Sequence, residues 1–320
     1  MSAKPVKHGI IAAVLATSSL FALGAAPASA ATFPLCSARL VQHFDLAKGQ
    51  TPESIVLAPN GTAYVAFAKA RQIAEISPSG AIRILATLPA PADGGVDTPA
   101  LGFPLTVGID RATDGTLYFL YATGTADLTG VWRLRPGGTP QRIAPLPATS
   151  LPNGLALDQR TRSLYVADST GVVWRVPAKG GTATVWSSAE ELAPAGFLGA
   201  NGIKLRDGAA WVTNLDRGTI VRIPLHANGN AGSAQVTATG LTGIDDFAFT
   251  GGGNEIIAAL DTTNQVALVK PDGTHTVVLT AADGLQGPTA IAVRGRTVYV
   301  PSAAYLTAED PNLLQAHLGR

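Results

Sequence analysis

The 320-residue chain has one cysteine, Cys36, which rules out an internal disulfide. An exported protein built on this sequence would have to be held by its core and by chain closure. Cys36 lies six residues past the expected leader cut, so it is read as a small buried or strand-end residue and not as a lipid-attachment site. Charge is also scarce: 14% of residues are Asp, Glu, Lys or Arg and the net charge is +1. No basic field exists to attract nucleic acid, and nucleic acid is rejected as a partner. Beyond residue 30 no apolar run is long enough to span a bilayer. There is no Gly-x-Ser-x-Gly elbow, Walker motif or dinucleotide glycine motif. The four histidines after residue 30 (His43, His226, His275 and His317) fall on expected outer strands or turns, so histidine-activated nucleophilic chemistry is set aside.

The first 30 residues read as a removable address. Lys4 and Lys7 precede an apolar stretch from Gly9 to Ala26, and Ala28-Ser29-Ala30 has the form of a cleavage site. The expectation is an export signal over 1–30 and one domain over 31–320, secreted or extracytoplasmic. Loss of Lys4 and Lys7 takes the formal charge from +1 to −1.

Six apolar segments recur on one beat. They are Glu53-Ser-Ile-Val-Leu-Ala58, Leu105-Thr-Val-Gly-Ile-Asp110, Asn153-Gly-Leu-Ala-Leu-Asp158, Asn201-Gly-Ile-Lys-Leu-Arg206, Asp245-Asp-Phe-Ala-Phe-Thr250 and Pro288-Thr-Ala-Ile-Ala-Val293. Their first residues are 52, 48, 48, 44 and 43 residues apart. Each is followed by a turn, often Gly-containing, and a second strand such as Ala63-Tyr-Val-Ala-Phe67 or Leu164-Tyr-Val-Ala-Asp168. Third and fourth strands complete each unit. Four antiparallel strands per unit at this period predict an all-β, six-bladed β-propeller. The sixth unit is short, with Asn312–Leu318 as its last strand, so Arg39–Phe44 is expected to supply the missing outer strand and close the ring.

The first position of each segment reads Glu53, Leu105, Asn153, Asn201, Asp245, Pro288. In a propeller these slots converge at one mouth of the central channel. Two carboxylates and two amides are hard oxygen donors suited to Ca²⁺, with Mg²⁺ or another divalent ion as alternatives. No histidine or cysteine occupies a slot, against a dedicated zinc or copper site. The bland alternative is that Asn153-Gly154 and Asn201-Gly202 are turn dipeptides. The beat selects Asp245, and a shift by one residue would select Asp246.

The order Leu151-Pro-Asn-Gly-Leu-Ala-Leu-Asp158, Leu164-Tyr-Val-Ala-Asp-Ser169, Asn201-Gly-Ile, Asp245-Asp-Phe resembles the senescence-marker-protein/gluconolactonase family, whose members include regucalcin-like and diisopropyl-fluorophosphatase-like propellers. The resemblance implies a divalent metal, often calcium, held by Glu53, Asn153, Asn201 and Asp245. It also implies a carbonyl polarised by that metal, with Asp245 as general base or nucleophile and Asp246 as a second carboxylate. The family's sugar-lactone enzymes carry an Arg two residues before the third-blade Asn, and here that residue is Leu151. With Phe103, Leu105 and Phe247 also near the slots, a fairly apolar lactone or ester is the expected substrate, the same residues being core as the alternative. The expected activity is therefore a lactonase- or esterase-type hydrolase. A non-enzymatic binding propeller and a non-hydrolytic biosynthetic enzyme using the same pocket are the alternatives. The expected partner is a small molecule, and the chain is expected to be a monomer, off the membrane once the signal is removed.

Overall fold

Six four-stranded antiparallel sheets make up nearly all the regular structure of the computed structural model, which describes residues 1–2, 35–251 and 253–319. The export segment expected at 1–30 lies outside the described residues, Met1 and Ser2 apart. Each sheet is one blade of a six-bladed propeller. The inner strands are Pro52–Leu57, Leu105–Arg111, Pro152–Asp158, Ala200–Arg206, Ile244–Phe249 and Ala292–Arg294. In the first five blades the chain runs outward strand by strand, each pairing with the next.

The sixth blade is closed as expected. Its outermost strand is the N-terminal Leu35–His43, paired antiparallel with Asn312–Leu318 from Leu35↔Leu318 to His43↔Asn312. Closure hides the sheet edge that either terminus would otherwise expose. Cys36 sits at the start of this strand, exposed and unpaired.

Burial follows from position in the blade. Second strands such as Leu117–Ala122 and Ser163–Asp168 are buried at every residue, because neighbouring blades cover both faces. They therefore read as unbroken apolar runs. Outer strands such as Ile82–Thr87 mix exposed and buried residues. Each of six apolar clusters fills one gap between neighbouring blades. Val65 and Phe67 of the first blade meet Tyr299 and Leu313 of the sixth, and Leu120 and Val131 of the second meet Leu155 and Leu164 of the third. Burying each large side chain contributes roughly 1.5–3 kcal/mol, so the core is a ring without a single centre. Among the described residues no helix is long and apolar enough to cross a membrane.

Candidate metal and active site

The inner strands carry a β-bulge near their start. Pairing slips by one residue between Pro52 and Ser54, between Pro152 and Gly154, between Ala200 and Ile203, and between Ile244 and Phe247. A bulge leaves one residue unpaired and re-aims it. The skipped residue is Glu53 in blade 1 and Asn153 in blade 3. The slip falls within Asn201-Gly202 in blade 4 and Asp245-Asp246 in blade 5, where Asn201 and Asp245 stand four residues before Leu205 and Phe249, as Glu53 and Asn153 stand before Leu57 and Leu157.

The two remaining slots differ from the expectation. In the second blade the slip lies between Thr106 and Ile109. Its hairpin matches that of the first blade, Ala112 N bonding Thr116 O as Ala58 N bonds Thr62 O. Counting back from the turn gives Val107, not Leu105, as the counterpart of Glu53. Leu105 pairs with Ala122 and is buried in the cluster between blades 2 and 3. In the sixth blade Pro288 bridges Ser302, as Pro52 pairs with Phe67, so the slot is Thr289. Its hydroxyl donates to Pro52 O at 2.8 Å.

The Asn-Gly pairs are not turns. Asn153-Gly154 and Asn201-Gly202 lie inside strands. A Cβ on Gly154 would come within 2.2 Å of Asn201 O, and one on Gly202 within 2.4 Å of Asp246 Oδ1. Gly108 is equally confined, since a Cβ there would come within 2.4 Å of Asn153 O. These glycines are required because adjacent inner strands touch at the neck of the channel.

At that neck a cavity of about 10 Å³ has room for one water-sized sphere. Glu53, Asn153, Asp245, Asp246, Lys204 and Thr289 share its walls. Glu53, Asn201 and Asp245 are 8%, 1% and 6% exposed. The Asn201 Oδ1 is buried with no hydrogen-bond partner, an arrangement that costs about 1–3 kcal/mol unless something binds it. Glu53 Oε2 accepts from Tyr305 Oη at 2.6 Å. Burial, reinforced by the Asp261 and Asp246 charges, pushes the Glu53 carboxyl up to about 8 against the Tyr305 hydrogen bond. Burial and then the charges of Glu53, Asp261 and Asp246 hold Asp245 well above the usual carboxylate range. Burial also lifts Asp261 to about 6. Burial is the largest cause in all three, and mutual repulsion adds to it for Glu53 and Asp245. The protein's nearest cation is already engaged: Lys204 Nζ donates to both Asp246 oxygens at 2.7 Å.

The donor set fits a hard divalent cation, with two carboxylates and two amides, one of whose oxygens is orphaned. Among the described residues no group of three or more His, Cys, Asp or Glu is placed to hold a metal ion. The set thus depends on its asparagines.

The expected apolar residues divide. Phe247 is fully buried between blades 4 and 5, edge-on to Phe249. Leu151 is core and donates its N–H to Asp168 Oδ1. With Leu105 they are packing residues, and the channel mouth is not lined by them. Phe103 is partly buried and shares the Lys69 ammonium with Tyr305, at 5.3 and 5.5 Å from the two ring centroids. Sequence reasoning passed over Lys204, Lys69 and Asp261. Lys204 had a legible signal: it stands three residues past the slot, where the first, third, fifth and sixth blades carry Val56, Ala156, Ala248 and Ala292, all packed between blades.

A larger cavity, about 600 Å³, lies at the opposite ends of blades 3 and 4. Two of its charged groups are engaged: Asp158 accepts from Thr161 and Arg160, and Arg175 donates to Ser163 and Gly229. The neck, though smaller, holds the unmatched donors and is the better candidate.

The chain matches no protein-family model and no curated protein sequence. Solved structures do resemble it. A protein assigned as a gluconolactonase is 18% identical, over 90% of this chain and 95% of that one, with a TM-score of 0.63. Regucalcin from Agrobacterium tumefaciens, a calcium-binding protein, is 17% identical over 88% of this chain and 94% of its own, with a TM-score of 0.63. A catalytically inactive virginiamycin B lyase from Staphylococcus aureus, with quinupristin, is 17% identical over 85% and 82%, with a TM-score of 0.59. At these identities the likeness establishes the propeller fold.

Proposed function

We propose that this chain is an exported, monomeric hydrolase that uses a divalent cation, calcium before magnesium, to cleave a fairly apolar lactone or ester. One observation carries the reading: Glu53, Asn153 and Asp245 line one small cavity at the neck, and the Asn201 amide oxygen at the equivalent slot is buried without a partner. The family resemblance of the slot order, and the fold shared with regucalcin and a gluconolactonase-assigned protein, support it.

Glu53, Asn153, Asn201 and Asp245 would hold the cation, which supplies Lewis-acid polarisation of a carbonyl oxygen. Asp245 takes a proton from water as the water oxygen bonds to the carbonyl carbon. The carbon–oxygen bond of the ester or lactone breaks, and the departing oxygen takes the proton that Asp245 removed from water. Tyr305 orients Glu53 through its hydroxyl. Burial raises the Asp246 carboxyl and Lys204 opposes that rise by pairing with both its oxygens, so Asp246 supports the wall and leaves the base role to Asp245. Phe103 and Tyr305 form the apolar side on which the substrate rests.

Chelation followed by a panel of lactones and aryl esters tests the proposal. Calcium-dependent hydrolysis is expected, abolished by chelator and restored by calcium. Calcium-dependent stability without hydrolysis of any panel member would favour a binding propeller or a non-hydrolytic enzyme.

A further inference from the structure

We propose that Lys69 selects substrates bearing a negative charge, a carboxylate above all, on the group flanking the scissile carbonyl; this rests on the hydrolase reading above. Lys69 stands just past the strand Ala63–Phe67, at the slot end of the first blade. Its backbone N–H is tied to Thr51 Oγ1 at 3.2 Å, which fixes where the side chain departs. The ammonium lies 5.3 Å from the Phe103 ring centroid and 5.5 Å from that of Tyr305. The two rings come from separate connecting segments, so two independent pieces of chain hold one cation in place, each contributing about 0.5–1 kcal/mol.

No carboxylate among the described residues lies within salt-bridge distance of Lys69, although Lys48 and Lys204 both have one. Tyr305 also links the ammonium to the slots, because its hydroxyl reaches Glu53 at 2.6 Å. The Lys69 charge is therefore about one tyrosine away from the proposed cation. The surroundings on that side are apolar: Phe103 and Tyr305 pack on the cluster containing Leu105 and Val107. Lys69 is itself exposed, so the two rings fix the ammonium at the apolar wall while leaving it open to a charged substrate. A substrate whose carbonyl sits at Asp245 would place its substituent along Tyr305 and Phe103, ending at Lys69.

The test uses the calcium-loaded full protein and three probes. These are a neutral aryl butanoate, an aryl ester of the same length ending in a carboxylate, and the uncleavable amide of that second ester. The wild type is expected to favour the charged ester. Lys69→Met should lower the charged-to-neutral ratio of kcat/KM by about tenfold, a loss that Lys69→Arg largely restores and that salt diminishes. By calorimetry the amide should bind the wild type about tenfold more tightly than Lys69→Met. Lys69-dependent amide binding with no ester cleaved would remove the hydrolase reading and leave this inference standing. Ester cleavage with the same charged-to-neutral ratio in wild type and Lys69→Met would overturn the inference and leave the hydrolase reading. Failure of the wild type to bind the amide, or equal binding by both proteins, would overturn it too.

Discussion

Asn201 is the most diagnostic residue in the molecule. Its Oδ1 is buried without a partner, so the metal-free protein carries a desolvated carbonyl with nothing to show for it. Asn201→Leu, close in volume, should leave the metal-free thermal midpoint unchanged or higher while abolishing the rise that calcium gives the wild type. An equal calcium-induced rise in both proteins would remove Asn201 from the site. Glu53 makes a pH-dependent claim. In the folded metal-free chain it keeps its proton up to about pH 8, whereas its ordinary value is 4.5. The folded state thus binds more protons than the unfolded state across that window, and stability falls as pH rises through it. The metal-free thermal midpoint should drop by more than about 2 °C between pH 5 and 8, and Glu53→Gln should flatten the slope. Asp245→Asn should cost at least about 100-fold in kcat/KM, and full activity in that variant would remove Asp245 from catalysis.

At the scale of the element, the inner strand is a small machine for presenting one side chain. Its bulge turns the slot residue into the channel, and the next residue must be small where strands touch. Gly154→Ala puts a methyl 2.2 Å from Asn201 O, and chemical denaturation should show a loss of about 2–4 kcal/mol with weakened calcium binding. The strands themselves were legible in the sequence, because doubly covered strands must be apolar runs and outer strands must alternate. The slots of blades 1, 3, 4 and 5 were legible for the same reason. Blades 2 and 6 misled because a bulge leaves no mark in hydrophobic periodicity. Ile109-Asp110 imitates Leu157-Asp158, yet Asp110 faces inward and accepts from Leu157 N at 2.7 Å. For Leu151 and Phe247 the sequence left substrate wall and core both open, since which face a residue takes near a bulge depends on the very slip that the sequence hides.

For the whole molecule, the ring stands or falls on its closure. No disulfide is available, and the six clusters form a circle in which each blade leans on two neighbours. A chain beginning at Asp45 lacks the strand Leu35–His43 and exposes the edge of Asn312–Leu318. Compared with a chain beginning at Ala31, it should unfold at least about 10 °C lower and self-associate, as unpaired strand edges do. Scattering during a thermal melt would show it. Closure is also what brings Glu53 of the first blade beside Tyr305 and Thr289 of the sixth, so the candidate site is a property of the closed ring. The central claim is that this ring of slots holds a catalytic divalent cation. Calcium calorimetry on the chelator-stripped protein, run alongside aryl-ester hydrolysis at each titration point, tests it most directly. The account predicts one calcium per chain, with activity rising in step with occupancy and both lost in Asn201→Leu. An absence of stoichiometric calcium binding, or hydrolysis that persists in chelator, would contradict it.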